Sequence, residues 1–149
     1  MKPNCDITLY NKYTDPSTRL EKYQRVVIYD VIWENRKAIN RSKSGDIAND
    51  TAMIYIPFIR GTNHLNPIAW QALTTKTGKW TLQDGDVVVK GVVTDEIADA
   101  STDPISHVVT PAVTITSLTK KYDDVVTISS IDTMDYGAIA MQHWEVSAK

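Results

Sequence analysis

The chain has 149 residues, of which 42% are apolar and 23% are charged, and this composition fits one globular domain with an ordinary core. Its formal net charge of -2 gives no bulk attraction to nucleic acid or to an anionic membrane. No segment approaches the roughly 18 apolar residues of a membrane-spanning helix. The single cysteine, Cys5, excludes an internal disulfide and a cysteine-based zinc site. We therefore expect one domain over residues 1–149, without membrane contact, made in cytosol-like conditions.

Three stretches in the first half of the chain show the alternation of β-strands. Apolar and polar residues alternate over 6–13, which predicts a first strand. A longer run over 22–36 also alternates, but its period slips near Asp30, and such a slip predicts a bulge or a bend. The segment 52–58 predicts a further strand that ends at Pro57.

The middle of the chain contains the pattern of a β-hairpin. Residues 80–83 alternate, Asp84 and Gly85 supply the backbone conformation of a tight turn, and residues 86–93 form an apolar return. Gly91 interrupts the returning segment, which predicts a bulge or a close approach of another backbone. We therefore predict two paired strands over this part of the chain.

The second half of the chain predicts three more strands, over 112–118, 125–135 and 140–149, because β-branched and apolar residues alternate there. Helical signals are weak and short. Pro67 suits the first position of a helical turn, and the segment 116–124 predicts one more turn.

Two segments lack the strand pattern and are predicted as long loops. Residues 37–50 are polar, and residues 94–112 are acidic and contain prolines. The sum is an all-β fold, a small β-barrel or sandwich of about seven or eight strands with long loops and little helix.

No group of residues in the sequence forms a catalytic or metal-binding motif. The histidines lie far apart and lack helical spacing: His64, His107 and His143. Four acidic residues lie close together without the pattern of a calcium loop: Asp95, Glu96, Asp99 and Asp103. Asp84 and Asp86 flank a glycine, and turn and strand-entry roles account for them. We therefore expect no enzyme activity, no catalytic residue, no metal and no cofactor.

The four tryptophans are the largest apolar side chains of the sequence. In such numbers they serve as core residues, as interface anchors or as a platform for carbohydrate. We predict fold or interface anchors, with a glycan-binding β module as the alternative; the residues are Trp33, Trp70, Trp80 and Trp144.

The polar segment near residue 40 is basic although the whole chain is slightly acidic. Between residues 34 and 46, two anions, Glu34 and Asp46, stand against four cations: Arg36, Lys37, Arg41 and Lys43. A charged segment of this kind is usually only solvated. In a ring-shaped assembly it would also be able to contact DNA phosphates without regard to sequence.

Three stretches together resemble a family of small structural proteins from tailed phages of Gram-positive bacteria. The stretches are "ITLYNKYTDPSTRLEKYQRVVIYDVIWENRKA" (7–38), "AMIYIPF" with "NPIAWQAL" (52–58 and 66–73), and "TGKWTLQDGDVVVKGVV" (77–93). The ending "KKYDDVVTISSIDTMDYGAIAMQHWEVSAK" (120–149) is similar to such proteins as well. The family comprises minor capsid or head–tail connector proteins, and within it the stopper, or head-completion, group is most similar.

The resemblance implies a small β-barrel that forms a ring, expected to be hexameric, in the neck of the virion. The ring would lie between the portal–adaptor complex and the tail terminator or tail tube, and a loop would close its channel over the packaged DNA. Such a virion is assembled in the host cytoplasm. A tail terminator or another neck or tail ring remains the alternative. The family residues that match are fold-forming and mark no active site: Tyr10, Tyr13, Trp33, Tyr55, Pro57, Trp70, Trp80, Asp86 and Gly91.

Overall fold

The computed structural model describes residues 2–36, 39–42, 45–48 and 51–149, and of 39–42 and 45–48 it describes the backbone. The strands are β1 (Cys5–Thr14), β2 (Glu21–Arg36), β3 (Ile39–Ser42), β4 (Gly45–Ala48), β5 (Thr51–Pro57), β6 (Val87–Lys90), β7 (Ser101–Thr102), β8 (Val109–Thr110), β9 (Val125–Met134) and β10 (His143–Ala148). The helices are α1 (Pro67–Gln71) and α2 (Ile115–Lys121), with 3₁₀ turns at Phe58–Arg60 and Ile139–Met141.

Six strands close into a barrel in the order β1-β2-β5-β10-β9-β6, and β6 pairs back onto β1. Every pair in the barrel is antiparallel. The predicted all-β barrel with little helix is thus confirmed. The helical turn at Pro67 is also present, as the first residue of α1.

The long strand β2 bends where its sequence pattern slips. Its first part pairs with β1, as in Ile28 opposite Ile7, and its last residues pair with β5. Asp30 has a φ of 57° at the bend, and its backbone N–H donates to the Asp6 carboxylate at 3.0 Å. One strand therefore serves two neighbours around a corner of the barrel, as the period slip predicts.

Alternate residues of the barrel strands fill its interior. In β5, every second residue is buried, which is the pattern of a strand with one face on the core. The main cluster lies inside the barrel and includes Leu9, Ile28, Val31, Trp33, Ile54, Ile56, Val88, Ile128 and Val146. A second cluster lies between the barrel and α2 and includes Tyr10, Val87, Val89, Val93 and Leu118.

The predicted hairpin over residues 80–93 is wrong in its first half. The turn at Asp84 and Gly85 is present, and Gly85 has a φ of 90°. Residues 81–83, however, pair with no strand, and Trp80 makes only an isolated bridge to His64. The returning strand β6 pairs with β1 and β9 instead. The alternation instead reflects two kinds of buried surroundings, because Trp80 and Leu82 pack in the main cluster and Thr81 bonds to Asn11.

The predicted strand over 112–118 is a helix for most of its length. Thr114 caps α2 by accepting from the backbone N–H of Ser117 at 3.2 Å, and the Ser117 hydroxyl accepts from the Thr114 N–H at 2.8 Å. This reciprocal capping starts a helix. Leu118 is buried and Ile115 packs beside it in the second cluster. Capping and helical spacing therefore outweigh the β-branched composition.

The two predicted long loops each contain a short β-hairpin. In the segment 37–50, β3 pairs with β4, with Ser42 opposite Gly45. In the segment 94–112, β7 pairs with β8. Neither segment alternates between apolar and polar residues, so the sequence gave no strand signal in either case. In β7 and β8, which are exposed, no buried face imposes that alternation. The rest of the second segment is irregular apart from single bridges.

Candidate functional site

The predicted DNA-facing cations lie on the connection between β2 and β5. Arg36 ends β2, and Arg41 lies in β3, where its backbone is opposite that of Asp46. Lys37 and Lys43 lie outside the described residues. The structure thus places Arg36 at the end of β2 and the backbone of Arg41 in the hairpin that follows, and only for Arg36 does it describe the side chain.

Arg36 shares its surroundings with acidic groups. Its Nη2 atom lies 3.7 Å from Glu34 Oε2 and 3.3 Å from the Tyr55 hydroxyl. A hollow of about 430 Å³ lies beside it, and its lining includes Asp123, Asp124 and Lys149. Both signs of charge are therefore present where the connection leaves the barrel. The named groups are three carboxylates, of Glu34, Asp123 and Asp124, and two cationic side chains, of Arg36 and Lys149, so these described residues give no excess of positive charge.

The four tryptophans are buried or half-buried. Trp33, Trp70 and Trp80 are almost fully covered, and Trp144 packs against the core at its edge. The indole N–H of Trp33 donates to Asn35 Oδ1 at 2.8 Å, so its polar atom is satisfied as well. These are the surroundings of fold anchors. Three of the four rings are thus covered, and the ring of Trp144 is half-buried.

An aromatic cluster attaches the connection after β5 to the end of the barrel. The His64 ring lies 4.4 Å from the Trp144 ring and 4.8 Å from the Trp80 ring, measured between centroids. The Phe58 ring also packs on the Trp144 ring, with 4.4 Å between their centroids. Burial lowers the pKa of His64, so its neutral form is favoured in this cluster. Gly61 touches the same indole, and a Cβ there would lie 2.6 Å from it.

A buried polar network fixes the segment before β6. Asn11 donates from Nδ2 to Thr81 O at 2.8 Å and to Asp86 Oδ2 at 2.6 Å, and it accepts from the Thr81 N–H at 3.1 Å. Asp86 also accepts from Gln83 Nε2 and from the Lys12 N–H. Sequence reasoning missed this network, because Asn11 and Asp86 lie far apart in the chain.

Asp86 is placed for structure rather than for chemistry. Its side chain is buried, and both carboxylate oxygens already accept hydrogen bonds. Burial raises its pKa, against the opposing effect of those hydrogen bonds. Asp84 is exposed in the neighbouring turn. Asp84 lies in the turn and Asp86 directly precedes β6, which are the positions that the sequence predicts for them, and both line a hollow of about 290 Å³.

Three of the four acidic residues of the segment 94–112 have separate partners. Asp95 binds Lys121 at 3.0 Å and the Tyr122 hydroxyl at 3.1 Å, and the hydrogen bond from Lys121 lowers its pKa. Glu96 pairs with Arg25 at 3.3 Å. Asp103 accepts from backbone N–H groups of its own turn, first that of Ile105, and these bonds lower its pKa. Their carboxylates therefore do not converge on one position.

The histidines also have their own surroundings. His143 lies on β10 with Nδ1 2.7 Å from Met141 O and Nε2 3.2 Å from Glu145 Oε1, and its ring packs on Tyr55. His107 is exposed in a turn. Within residues 2–36 and 51–149, whose side chains are described, no three His, Cys, Asp or Glu side chains are grouped as metal ligands would be.

The chain belongs to a family of unknown function, DUF6751, whose model matches residues 1–149. Comparisons with curated proteins and with solved structures found no match to the chain. Among the described helices, none has the length and apolar character needed to cross a membrane.

Proposed function

We propose that the protein is a structural component of the neck of a tailed phage, a ring-forming stopper or head-completion connector. It seals the DNA-filled head and joins it to the tail. Copies form a ring, expected to be hexameric, between the portal–adaptor complex and the tail terminator or tail tube. The ring acts through shape and contact rather than through catalysis, and it is built into virions in the host cytoplasm.

The observation that carries the proposal is the hairpin connection between two adjacent barrel strands. β2 and β5 remain paired up to Arg36 and Thr51, and β3 and β4 pair within the connection that follows. In the proposed ring, the barrels form the wall and this hairpin faces the channel. The resemblance of the strand and turn motifs to the stopper group supports the same arrangement.

The charges near this connection suit contact with DNA that must later pass through the channel. The cations Arg36, Lys37, Arg41 and Lys43 neutralise phosphates, and each contact contributes a salt-dependent increment of affinity. Glu34 lies beside Arg36, and its negative charge reduces the affinity for phosphate that Arg36 contributes. Several weak contacts in a ring hold a DNA end without binding it tightly in any single subunit.

Localisation in intact virions tests the assignment. An antibody or a gold-labelled tag on the protein should mark the neck, one site per particle, in electron micrographs. Label at the upper end of the tail in tails without heads would instead indicate a tail terminator or another tail ring. Label on the capsid shell, or no label on virions, would contradict the proposal.

A charge variant tests the channel role. Arg41→Ala with Lys43→Ala should leave folding intact, because solvated charges of the kind that the sequence predicts for this segment contribute little to stability. Particles with this variant should lose packaged DNA, measured as DNase-protected DNA per head. Lys2→Ala with Lys120→Ala removes the same charge from exposed positions elsewhere and serves as the control. Equal DNA retention by both variants would refute the channel role of the hairpin.

A further inference from the structure

The segment around β7 and β8 is exposed along its whole length. Every residue from 98 to 112 is exposed. Two residue pairs link β7 and β8, and the bridge between Ala98 and Val113 ties the base of the segment. We refer to residues 98–113 as the arm. A two-stranded hairpin without further cover is at most marginally stable in water. The arm therefore gains stability when another surface covers it.

The tip of the arm presents apolar side chains in a defined shape. Ile105 is 90% exposed, and Val108 and Val109 are each more than half exposed. The tip is held locally: Asp103 Oδ1 accepts from the Ile105 N–H at 2.8 Å, and the Asp103 N–H donates to Val108 O at 2.9 Å. Little further ordering is needed when such a tip binds, which lowers the entropic cost of association.

A second apolar surface lies on the barrel, beside the bend of β2. A hollow of about 240 Å³ there is lined partly by Tyr29, Ile59 and Trp80. A cavity of about 150 Å³ holds a benzene molecule, so this hollow has room for a branched aliphatic side chain. The 3₁₀ turns Phe58–Arg60 and Ile139–Met141 contact each other next to it. We refer to Tyr29, Ile59, Ile139 and Met141, all exposed, as the receptor surface.

The two surfaces belong to segments of opposite charge. Residues 91–119 contain four acidic residues and no lysine or arginine. Residues 51–83 contain Arg60, Lys76 and Lys79 and no acidic residue. Arg60 pairs with Asp30 beside the hollow, while Lys79 binds only the Asn63 side chain in the described part of the chain. Asp99, at the base of the arm, forms no ion pair there either.

We propose that the arm of one copy docks on the receptor surface of a second copy. Ile105 enters the hollow beside Ile59, and Asp99 and Asp103 face the side that carries Arg60 and Lys79. A second copy is the occupant because the same chain carries both halves of the contact, apolar against apolar and acidic against basic. Within one copy the two surfaces stay exposed, so the arm does not cover the receptor surface of its own chain.

A contact between two different surfaces is heterologous, and repetition of such a contact generates a ring when the rotation closes. This inference deepens the proposed function and rests on it for the closure of the ring. The contact itself does not depend on the proposed function, because purified protein is able to form the contact without virion parts.

Sedimentation of the purified full chain tests the contact. The average mass of the natural protein should rise above the 16.7 kDa chain mass as concentration increases. Ile105→Asp and Ile59→Asp should each weaken association by about tenfold or more, because each places a charge in the apolar centre of the interface. A 1:1 mixture of the two variants should form dimers but nothing larger, since it retains one intact arm and one intact receptor surface.

Ile68→Asp is the matched control, because Ile68 is 88% exposed on α1, in the same acid-free segment but outside the hollow. It should associate like the natural protein. The inference is overturned if the natural protein remains monomeric at the highest concentrations, if Ile105→Asp associates normally, or if the mixed variants form no dimer. In those cases neck labelling would still test the proposed function. The ring would then have to form through a different contact between copies.

Discussion

Two long connections of the barrel use their residues in opposite ways. The connection 58–86 contains only short helical turns and bridges, yet it buries Trp70, Trp80, Thr81 and Asp86. The arm, at 98–113, contains two paired strands, yet nearly all of it is exposed. The connection with paired strands is therefore the exposed one, and the connection without paired strands contributes side chains to the core.

The difference lies in where the partners of each connection are. The polar groups of 58–86 bond to distant barrel residues, as Thr81 does to Asn11, and its aromatic rings pack on β10 through Trp144. The arm satisfies its backbone within itself and leaves its apolar side chains outside. The first connection thus contributes to the stability of the monomer, whereas the second offers its contacts to another molecule.

The largest expected effect on stability is at Trp80. Trp80→Ala should lower the free energy of unfolding by about 3–5 kcal/mol, the usual cost of truncating a large core aromatic. Chemical denaturation of dilute protein measures it. Ile68→Ala, on the same connection but exposed, should change stability by less than about 0.5 kcal/mol. A loss below about 1 kcal/mol at Trp80 would mean that this connection does not stabilise the barrel.

A smaller loss is expected when the buried network loses Asn11. Asn11→Ala leaves Thr81 N–H and Thr81 O without their partner, and it removes one bond to Asp86. The expected loss is about 2–3 kcal/mol, the scale for buried polar groups left unsatisfied. The urea midpoint should fall at an unchanged slope. Thr18→Ala, in an exposed turn, is the control, and an equal effect of the two changes would refute a structural role of the network.

The smallest effect on the monomer is expected from removal of most of the arm. Ala98 and Val113 exchange two backbone hydrogen bonds, of 3.1 and 2.9 Å, so a two-residue Asn-Gly turn is able to join them. Replacing residues 99–112 in this way should change unfolding free energy by less than about 0.5 kcal/mol while abolishing self-association. A loss of more than about 2 kcal/mol would mean that the arm stabilises the monomer, as the connection 58–86 does.

The barrel itself was largely predictable from the sequence. In β5 every second residue is buried, so burial imposes there the period of two that identifies a strand. β1 is buried on both faces from Ile7 to Asn11, and its period of two separates Ile7 and Leu9, in the main cluster, from Tyr10, in the second cluster. The bend at Asp30 was visible because a bulge shifts that period. The order of the strands in the closed barrel was not predictable, since β-branched residues indicate a strand but not which strands it pairs with.

The errors arose where one pattern has two physical causes. Trp80 and Leu82 pack in the main cluster, whereas Thr81 between them is buried in the polar network around Asn11. A paired strand would show the same apolar–polar alternation. Ile115 and Leu118 have helical spacing within a β-branched run, and the capping hydrogen bonds at Thr114 stabilise the helix there. Short segments of this kind are resolved by tertiary contacts, which no local window contains.

The candidate surfaces were predictable only in part. Large aromatic residues are usually covered, and so the buried state of the tryptophans follows from residue type. A buried aspartate runs against that rule, and Asp86 is tolerated only because distant groups donate to it. The acidic composition of 94–112 indicated exposure, but it did not indicate an ordered hairpin with an apolar tip.

The strand order also affects how newly synthesised chains fold. During synthesis, β5, β2, β1 and β6 are made first, and in the barrel they are adjacent in that order. Until β9 and β10 follow, β5 and β6 are open edges, which readily pair with other chains. Because the closing pairs join residues as distant as Pro57 and His143, closure is non-local and slow by the standards of small domains. The yield of correctly folded chains therefore depends on how quickly the β9–β10 hairpin inserts between β5 and β6 and covers both open edges.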